Sequence, residues 1–206
     1  KTLRNKYPPG TYNHYVSINT QVLGMILTQA TGTSVTQYIQ AKLWEPLGAT
    51  SDAYWILDKS DMEFVLGGLN ATARDYAKIG QLYLQDGFWK GKQLLPKNWV
   101  TKAAETSIAK DIKDNRFYKF GYGYFWWNTP EALGNNQKVN KGVYLARGAG
   151  GQYIIVNPDE NMIVVITAWD LKKANYIFEI FAKYIESKND FNNLELTLSK
   201  YACIVI

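Results

Sequence analysis

The chain has 206 residues, of which 47% are apolar and 15% aromatic, with a net charge of +5 at neutral pH. That is enough for one large domain or two small ones of ordinary globular composition, and the charge is spread along the chain with no dense Lys/Arg run, so a nucleic-acid partner is not expected. Cys203 and His14 are the sole cysteine and histidine, which excludes a disulfide framework and any cysteine-based or multi-histidine metal site.

The chain opens Lys1-Thr2-Leu3-Arg4 with neither a Met nor a signal peptide, and reads as the cut end of something longer. No apolar run reaches membrane-spanning length. Pro9-Gly10-Thr11 marks a turn. From Thr20 to Thr31, Val22, Leu23, Ile26, Leu27 and Ala30 recur at helical spacing, closed by Gly32. Ser34 is placed to cap a second helix that runs to about Leu43 and stops before Pro46. The stretch from Ser51 to Leu66 is mixed and irregular. Thr72 stands three residues before Asp75, close to a capping box, and opens a helix through Ile79 and Leu82 to Gly87. Pro96 begins a short helix through Trp99 and Val100.

The pattern changes after Asp111. Gly121 to Trp127 reads as one aromatic strand, and Val143 to Arg147 as a second. Gln152–Val156 and Met162–Ala168 flank Pro158-Asp159-Glu160-Asn161, a turn signal, and so read as a hairpin. Lys172 to Ser187 is an amphipathic helix with Ile177, Ile180, Phe181 and Tyr184 on one side. The tail from Asn189 has no evident role, though its Ala202-Cys203-Ile204-Val205-Ile206 end is apolar for a free terminus. Helices, then antiparallel strands, then a closing helix define an α+β chain. Its regions are a helical part (1–114), a strand part with the closing helix (115–188) and a tail (189–206).

Several stretches in fixed order carry chemistry. Tyr15-Val16-Ser17 is followed by Asn19-Thr20-Gln21 and Leu23-Gly24. Then come Leu43-Trp44-Glu45-Pro46-Leu47-Gly48 and Gly67-Gly68-Leu69-Asn70-Ala71-Thr72-Ala73-Arg74-Asp75-Tyr76-Ala77. Gly121-Tyr122-Gly123-Tyr124 with Trp126-Trp127, and Arg147-Gly148-Ala149-Gly150-Gly151-Gln152, complete the set. Together they resemble the class C branch of the β-lactamase and penicillin-binding superfamily, closest to its esterase and 6-aminohexanoate-oligomer hydrolase subgroup.

The resemblance implies the β-lactamase/transpeptidase-like fold, with this chain as one incomplete catalytic domain. It implies serine acyl transfer on a small amide or ester, with no cofactor and no metal. Tyr15 would be the proton-shuttling tyrosine, and Ser17 a polar side chain facing the cleft. The Arg147–Gln152 run would be the third catalytic element, with Ala149, Gly150 and Gly151 on a strand edge and a backbone N–H near Gln152 as an oxyanion donor. Arg147, two residues from Ala149, would share its face by strand alternation. Trp126 and Trp127 alternate faces, so one lines the cleft and one packs in the core; Trp126 is taken as the cleft residue.

Two departures stand out. Ala149 occupies a place where the family usually carries a basic or polar residue. The first catalytic element, Ser-x-x-Lys, is absent upstream of Tyr15. Ser107-Ile108-Ala109-Lys110 matches its letters but follows Tyr15 and lies in a polar stretch, so it is read as a decoy. His14 is read as a turn residue and Asp75 as a helix cap. The alternatives to a hydrolase fragment are a non-catalytic relative that holds peptidoglycan-type ligands, and a chain that is not stable alone. Relatives of this kind are periplasmic, secreted or membrane-anchored, and the oligomeric state is not legible.

Overall fold

A computed structural model describes residues 7–8, 10–104, 110–111, 121–128, 142–167 and 202–205. The expected closing helix over 172–187 lies outside these residues.

A two-residue strand, β1 (Tyr12–Asn13), leads into helix α1 (Ile18–Thr31). Gly32, at φ 68°, closes α1 in the left-handed conformation by donating its N–H to the Thr28 carbonyl. Gly24 is its one buried residue. Ile18, Val22, Leu23, Met25 and Ile26 are 44–56% exposed, so the apolar pattern that makes this helix legible is not spent on the described core. Gln21 ties α1 to the following loop. Its side-chain amide donates to the Glu63 carbonyl at 2.8 Å and accepts from the Val65 N–H at 2.9 Å.

Ser34 caps α2 (Val35–Ile39) in a full capping box with Gln37. The helix does not stop before Pro46, as the sequence implies. It widens into a π turn over Gln40–Trp44 and continues as α3 (Glu45–Leu47). The widened turn shifts the carbonyl that a proline ring would strike in an α-helix, which lets the chain pass through Pro46. The irregular stretch that follows contains a small ladder, β2 (Tyr54–Trp55) against β3 (Leu69–Asn70).

Thr72 caps α4 (Ala73–Leu84), its hydroxyl accepting from the Asp75 N–H at 3.2 Å. Strands β4 (Phe88–Trp89) and β5 (Lys92–Gln93) form a tight hairpin before α5 (Lys97–Ala104). These hairpins interrupt the expected all-helical part. Strand β6 (Lys110–Asp111) runs parallel to β1, pairing Lys110 with Tyr12. Of the Ser-x-x-Lys look-alike, only Lys110 lies among the described residues.

The expected single aromatic strand is two: β7 (Gly121–Gly123) and β8 (Trp126–Asn128), folded back on each other at Tyr124-Phe125. Strands β9 (Tyr144–Gly148), β10 (Gln152–Asn157) and β11 (Met162–Thr167) follow, with the turn at 158–161 as expected. The end of the tail adds β12 (Ala202–Val205). The result is a six-stranded sheet of order β12-β11-β10-β9-β8-β7, each neighbouring pair antiparallel. Helices before an antiparallel sheet make this an α+β chain.

The core sits between this sheet and the helices α4 and α5. Ala73 and Ala77 of α4 pack on Ile163 and Val165, while Ala103 of α5 packs with Trp126, Tyr144 and Val156. Gly80 lets α4 approach closely. A Cβ there would lie 2.8 Å from Ile163 Cγ2 and 3.1 Å from Ile154 Cγ2. Gly80→Ala is therefore expected to force the helix off the sheet and cost roughly 1–3 kcal/mol despite the better helix propensity of alanine. Chemical denaturation checks this; a stability gain would contradict the close packing.

Candidate active site

Tyr15 lies between β1 and α1, where three non-helical residues turn the chain before the Asn19 and Thr20 N–H groups bond the Val16 and Ser17 carbonyls at 3.0 Å. Its side chain is not buried; the residue is 46% exposed. One side of its ring meets two aromatic rings of the β7–β8 hairpin. Tyr122 is edge-on at 5.6 Å and Trp127 tilted at 5.5 Å between centroids, and those two rings are themselves 4.6 Å apart. Each such contact is worth about 0.5–1.5 kcal/mol beyond area burial, so the trio fixes the tyrosine while leaving its phenol reachable.

A cavity of about 160 Å³ opens here, lined by His14, Tyr15, Val16, Asn19, Tyr122 and Phe125 among others. Burial pushes the Tyr122 phenol up to about 12, and the neighbouring Tyr15 phenol adds to the shift. Tyr122 thus stays protonated through the neutral range and offers an O–H rather than a phenolate. Its raised value means that the stability it contributes is complete below pH 10 and lost as pH rises toward 12. Burial raises Tyr76 and Tyr144 as well, so spectrophotometric titration is expected to show several late-ionising tyrosines, one fewer in Tyr122→Phe, that return to about 10 on unfolding.

The Arg147–Gln152 run, expected to be the third element, lies on β9, β10 and the turn between them. Gly148 pairs with Gln152, and Gly150 and Gly151 take φ values of 85° and 92° that only glycine adopts without strain. A Cβ on Gly148 would come within 2.8 Å of Gln152 Oε1, so the missing side chain leaves room for the glutamine to fold back over the strand. Ala149 is exposed in the turn and is not a strand residue. Arg147 is cross-strand partner to Tyr153, and its guanidinium carbon lies 5.9 Å from that ring centroid. Its charge thus lies near the Tyr153 ring, and because Ala149 is in the turn, strand alternation does not carry the face of Arg147 on to it.

Two further placements differ from the sequence reading. Trp126 is not a cleft residue: it is 5% exposed and packs in the core with Tyr83 at 4.4 Å and Tyr144 at 5.2 Å. Trp127, on the other face of β8, is the tryptophan that meets Tyr15. The packing of α5 on one face of the sheet decides between the two, and no local signal shows it. Ser17 is exposed, stands at the start of α1 in helical conformation, makes no side-chain capping bond and is not among the residues lining the cavity. Asn19, Thr20, Tyr122 and Phe125 line it and are not among the site residues expected from the sequence; the proximity of the hairpin to Tyr15 is a long-range contact that spacing cannot announce.

The Tyr15 cluster and the glycine turn are joined through the sheet. Trp127 pairs with Leu145 on β9, and Arg147 lies two residues further along the same face. Among the described residues, no group of three or more His, Cys, Asp or Glu side chains is placed to hold a metal, and no helix is long and apolar enough to cross a membrane.

The beta-lactamase family model matches residues 1–176. The chain belongs to the beta-lactamase family. It is 28% identical over 173 residues to a 6-aminohexanoate-dimer hydrolase of Paenarthrobacter ureafaciens, covering 82% of this chain and 42% of that protein. A solved structure from Bacillus anthracis, described as a candidate 6-aminohexanoate-dimer hydrolase, superposes with a TM-score of 0.73 at 26% identity, covering 89% of this chain and 47% of that one. A family VIII carboxylesterase shares the fold, with a TM-score of 0.66 at 14% identity over 87% of this chain and 60% of that one. The chain thus spans less than half the length of the two 6-aminohexanoate-dimer hydrolase relatives and is a partial β-lactamase/transpeptidase-like fold.

Proposed function

We propose that this chain is the part of a β-lactamase-family serine hydrolase that carries the proton-transfer tyrosine, and that the whole protein cleaves a small amide or ester through an acyl-enzyme. The single observation behind this reading is Tyr15, half-exposed at the mouth of a cavity and fixed by Tyr122 and Trp127 within a chain of this family. In the reaction, a serine oxygen attacks the carbonyl carbon and a C–O bond forms. The C–N or C–O bond to the leaving group then breaks, and Tyr15 passes the serine's proton to the departing atom. Water subsequently releases the acyl group. A backbone N–H near Gln152 steadies the oxyanion.

The serine comes from residues outside this chain. The exposed apolar side chains of α1 support this, because a row of half-exposed Ile, Val, Leu and Met on one helix calls for a covering segment. The greater length of the relatives would supply it. This chain alone is then expected to leave nitrocefin and p-nitrophenyl acetate at their background hydrolysis rates. Turnover well above background would refute the reading and return attention to Ser107.

Ala149 favours a second reading. An exposed alanine offers neither charge nor hydrogen bond at the glycine turn, which fits a relative that binds peptidoglycan-type ligands without cleaving them. An in-frame Ser-x-x-Lys upstream favours the hydrolase; its absence favours the binding relative.

A further inference from the structure

The β7–β8 hairpin is closed by two residues, Tyr124 and Phe125, between the paired Gly123 and Trp126. Their φ values are 47° and 73°, those of a turn that normally uses Asn-Gly because both residues sit in the left-handed region. Two adjacent aromatic side chains there are strained, and strain of this kind is kept where something else depends on it. Core packing does not account for it, since Tyr124 is 48% and Phe125 47% exposed.

The two rings are used differently. Tyr124 packs edge-on against Trp99 of α5 at 4.7 Å, which braces the tip from outside. Phe125 lines the Tyr15 cavity with Val16 and Tyr122. β8 runs antiparallel to β9 with Trp127 opposite Leu145 and Asn128 opposite Tyr144, so the start of β8, next to Phe125, lies toward the Arg147 end of β9. The tip therefore stands at the same end of the sheet as the glycine turn. At about 160 Å³, and open to solvent on one side, the cavity has room for a group of about benzene size.

We propose that Phe125 is a specificity wall of the cavity, held in place by a strained turn, and that it selects ligands carrying a flat apolar group beside the amide or ester over those carrying a charged chain. The amide or ester part rests on the hydrolase reading; recognition of the flat group does not.

The test is an NMR titration of this chain with phenylacetamide and with 6-aminohexanamide, alongside thermal melts. Phenylacetamide is expected to bind roughly two- to tenfold more tightly, a difference of the size one aromatic contact provides. Phe125→Gly is expected to erase that preference and to raise Tm by roughly 2–6 °C as the strain is released. Phe125→Asn, which also tolerates the left-handed region, is expected to follow it in both respects. A wild-type chain without the preference, a glycine variant that keeps it, or a fall in Tm in both variants overturns the proposal. Neither ligand needs a nucleophile to bind, so a failed acylation by the whole protein would remove the hydrolase reading and leave this one standing.

Discussion

Replacing Tyr15 with phenylalanine in the whole protein is expected to lower kcat for an amide substrate by roughly 10²–10⁴-fold, the range for loss of a positioned proton-transfer group. The ring would stay where it is. Its contacts with Tyr122 and Trp127 involve the ring faces and edges, and phenylalanine keeps them. Thermal stability should therefore change little, and KM less than kcat, because the hydroxyl acts on the proton in transit. The effect should shrink with a substrate whose leaving group is a good one, such as p-nitrophenolate, since that oxygen departs without a proton. Steady-state kinetics with an anilide and a p-nitrophenyl ester of the same acyl group separates the two. An equal loss on both would mean that Tyr15 acts by placing the substrate and not by moving a proton.

The second large effect concerns the frame around the site. Asp75 is 1% exposed and does more than open its helix. Its Oδ1 accepts from the Thr50 N–H at 2.9 Å, the Thr50 hydroxyl at 3.2 Å and Lys78 Nζ at 2.9 Å. Its Oδ2 accepts from the Ser51 N–H at 3.2 Å and the Thr72 hydroxyl at 2.8 Å. Lys78 also donates to the Gly48 carbonyl at 2.6 Å. One carboxylate thus joins the loop after α3 to the start of α4. Burial alone would raise its pKa, but the bonds from Lys78, Thr50 and Thr72 outweigh that and hold it at about 2, against an ordinary 3.8.

Asp75→Ala strands buried donors and leaves Lys78 without its carboxylate, so a loss of about 3–5 kcal/mol is expected. The pH dependence has a definite sign. Because the folded value is depressed, Asp75 contributes its full stability above about pH 4 and loses it as pH falls toward 2. Denaturation curves between pH 5 and 2 should therefore fall more steeply for the wild type than for Asp75→Asn. Parallel curves would contradict the assignment.

Local chemistry was the legible part of this chain. Ser34 and Thr72 cap the helices they precede, and the Pro158–Asn161 turn joins the two strands on either side of it, because caps and turns act over three or four residues. What escaped the sequence is non-local or conformationally unusual. Asp75 reads as a helix cap by its spacing from Thr72, yet it also accepts from Thr50 and Ser51, 25 and 24 residues away. The tail end joins the sheet because Ala202–Val205 pairs with β11, a pairing that composition hints at and cannot direct. The aromatic run after Gly121 folds into a hairpin since Tyr124 and Phe125 accept a backbone that aromatic residues seldom take. At the candidate site, Tyr15 and the Gly148–Gln152 turn are singled out by their resemblance to family motifs. Trp127, Tyr122 and Phe125 needed the sheet register.

The most direct measurement is the site of acylation. The protein translated from the complete reading frame should be mixed with a slowly deacylated ester or β-lactam, quenched and digested, and the adduct located by mass spectrometry. The expected result is one acyl group on a serine outside residues 1–206, formed much more slowly in the Tyr15→Phe variant with an amide donor. An adduct on a serine within these residues, Ser107 above all, or an undiminished amide rate without the Tyr15 hydroxyl, would contradict the account.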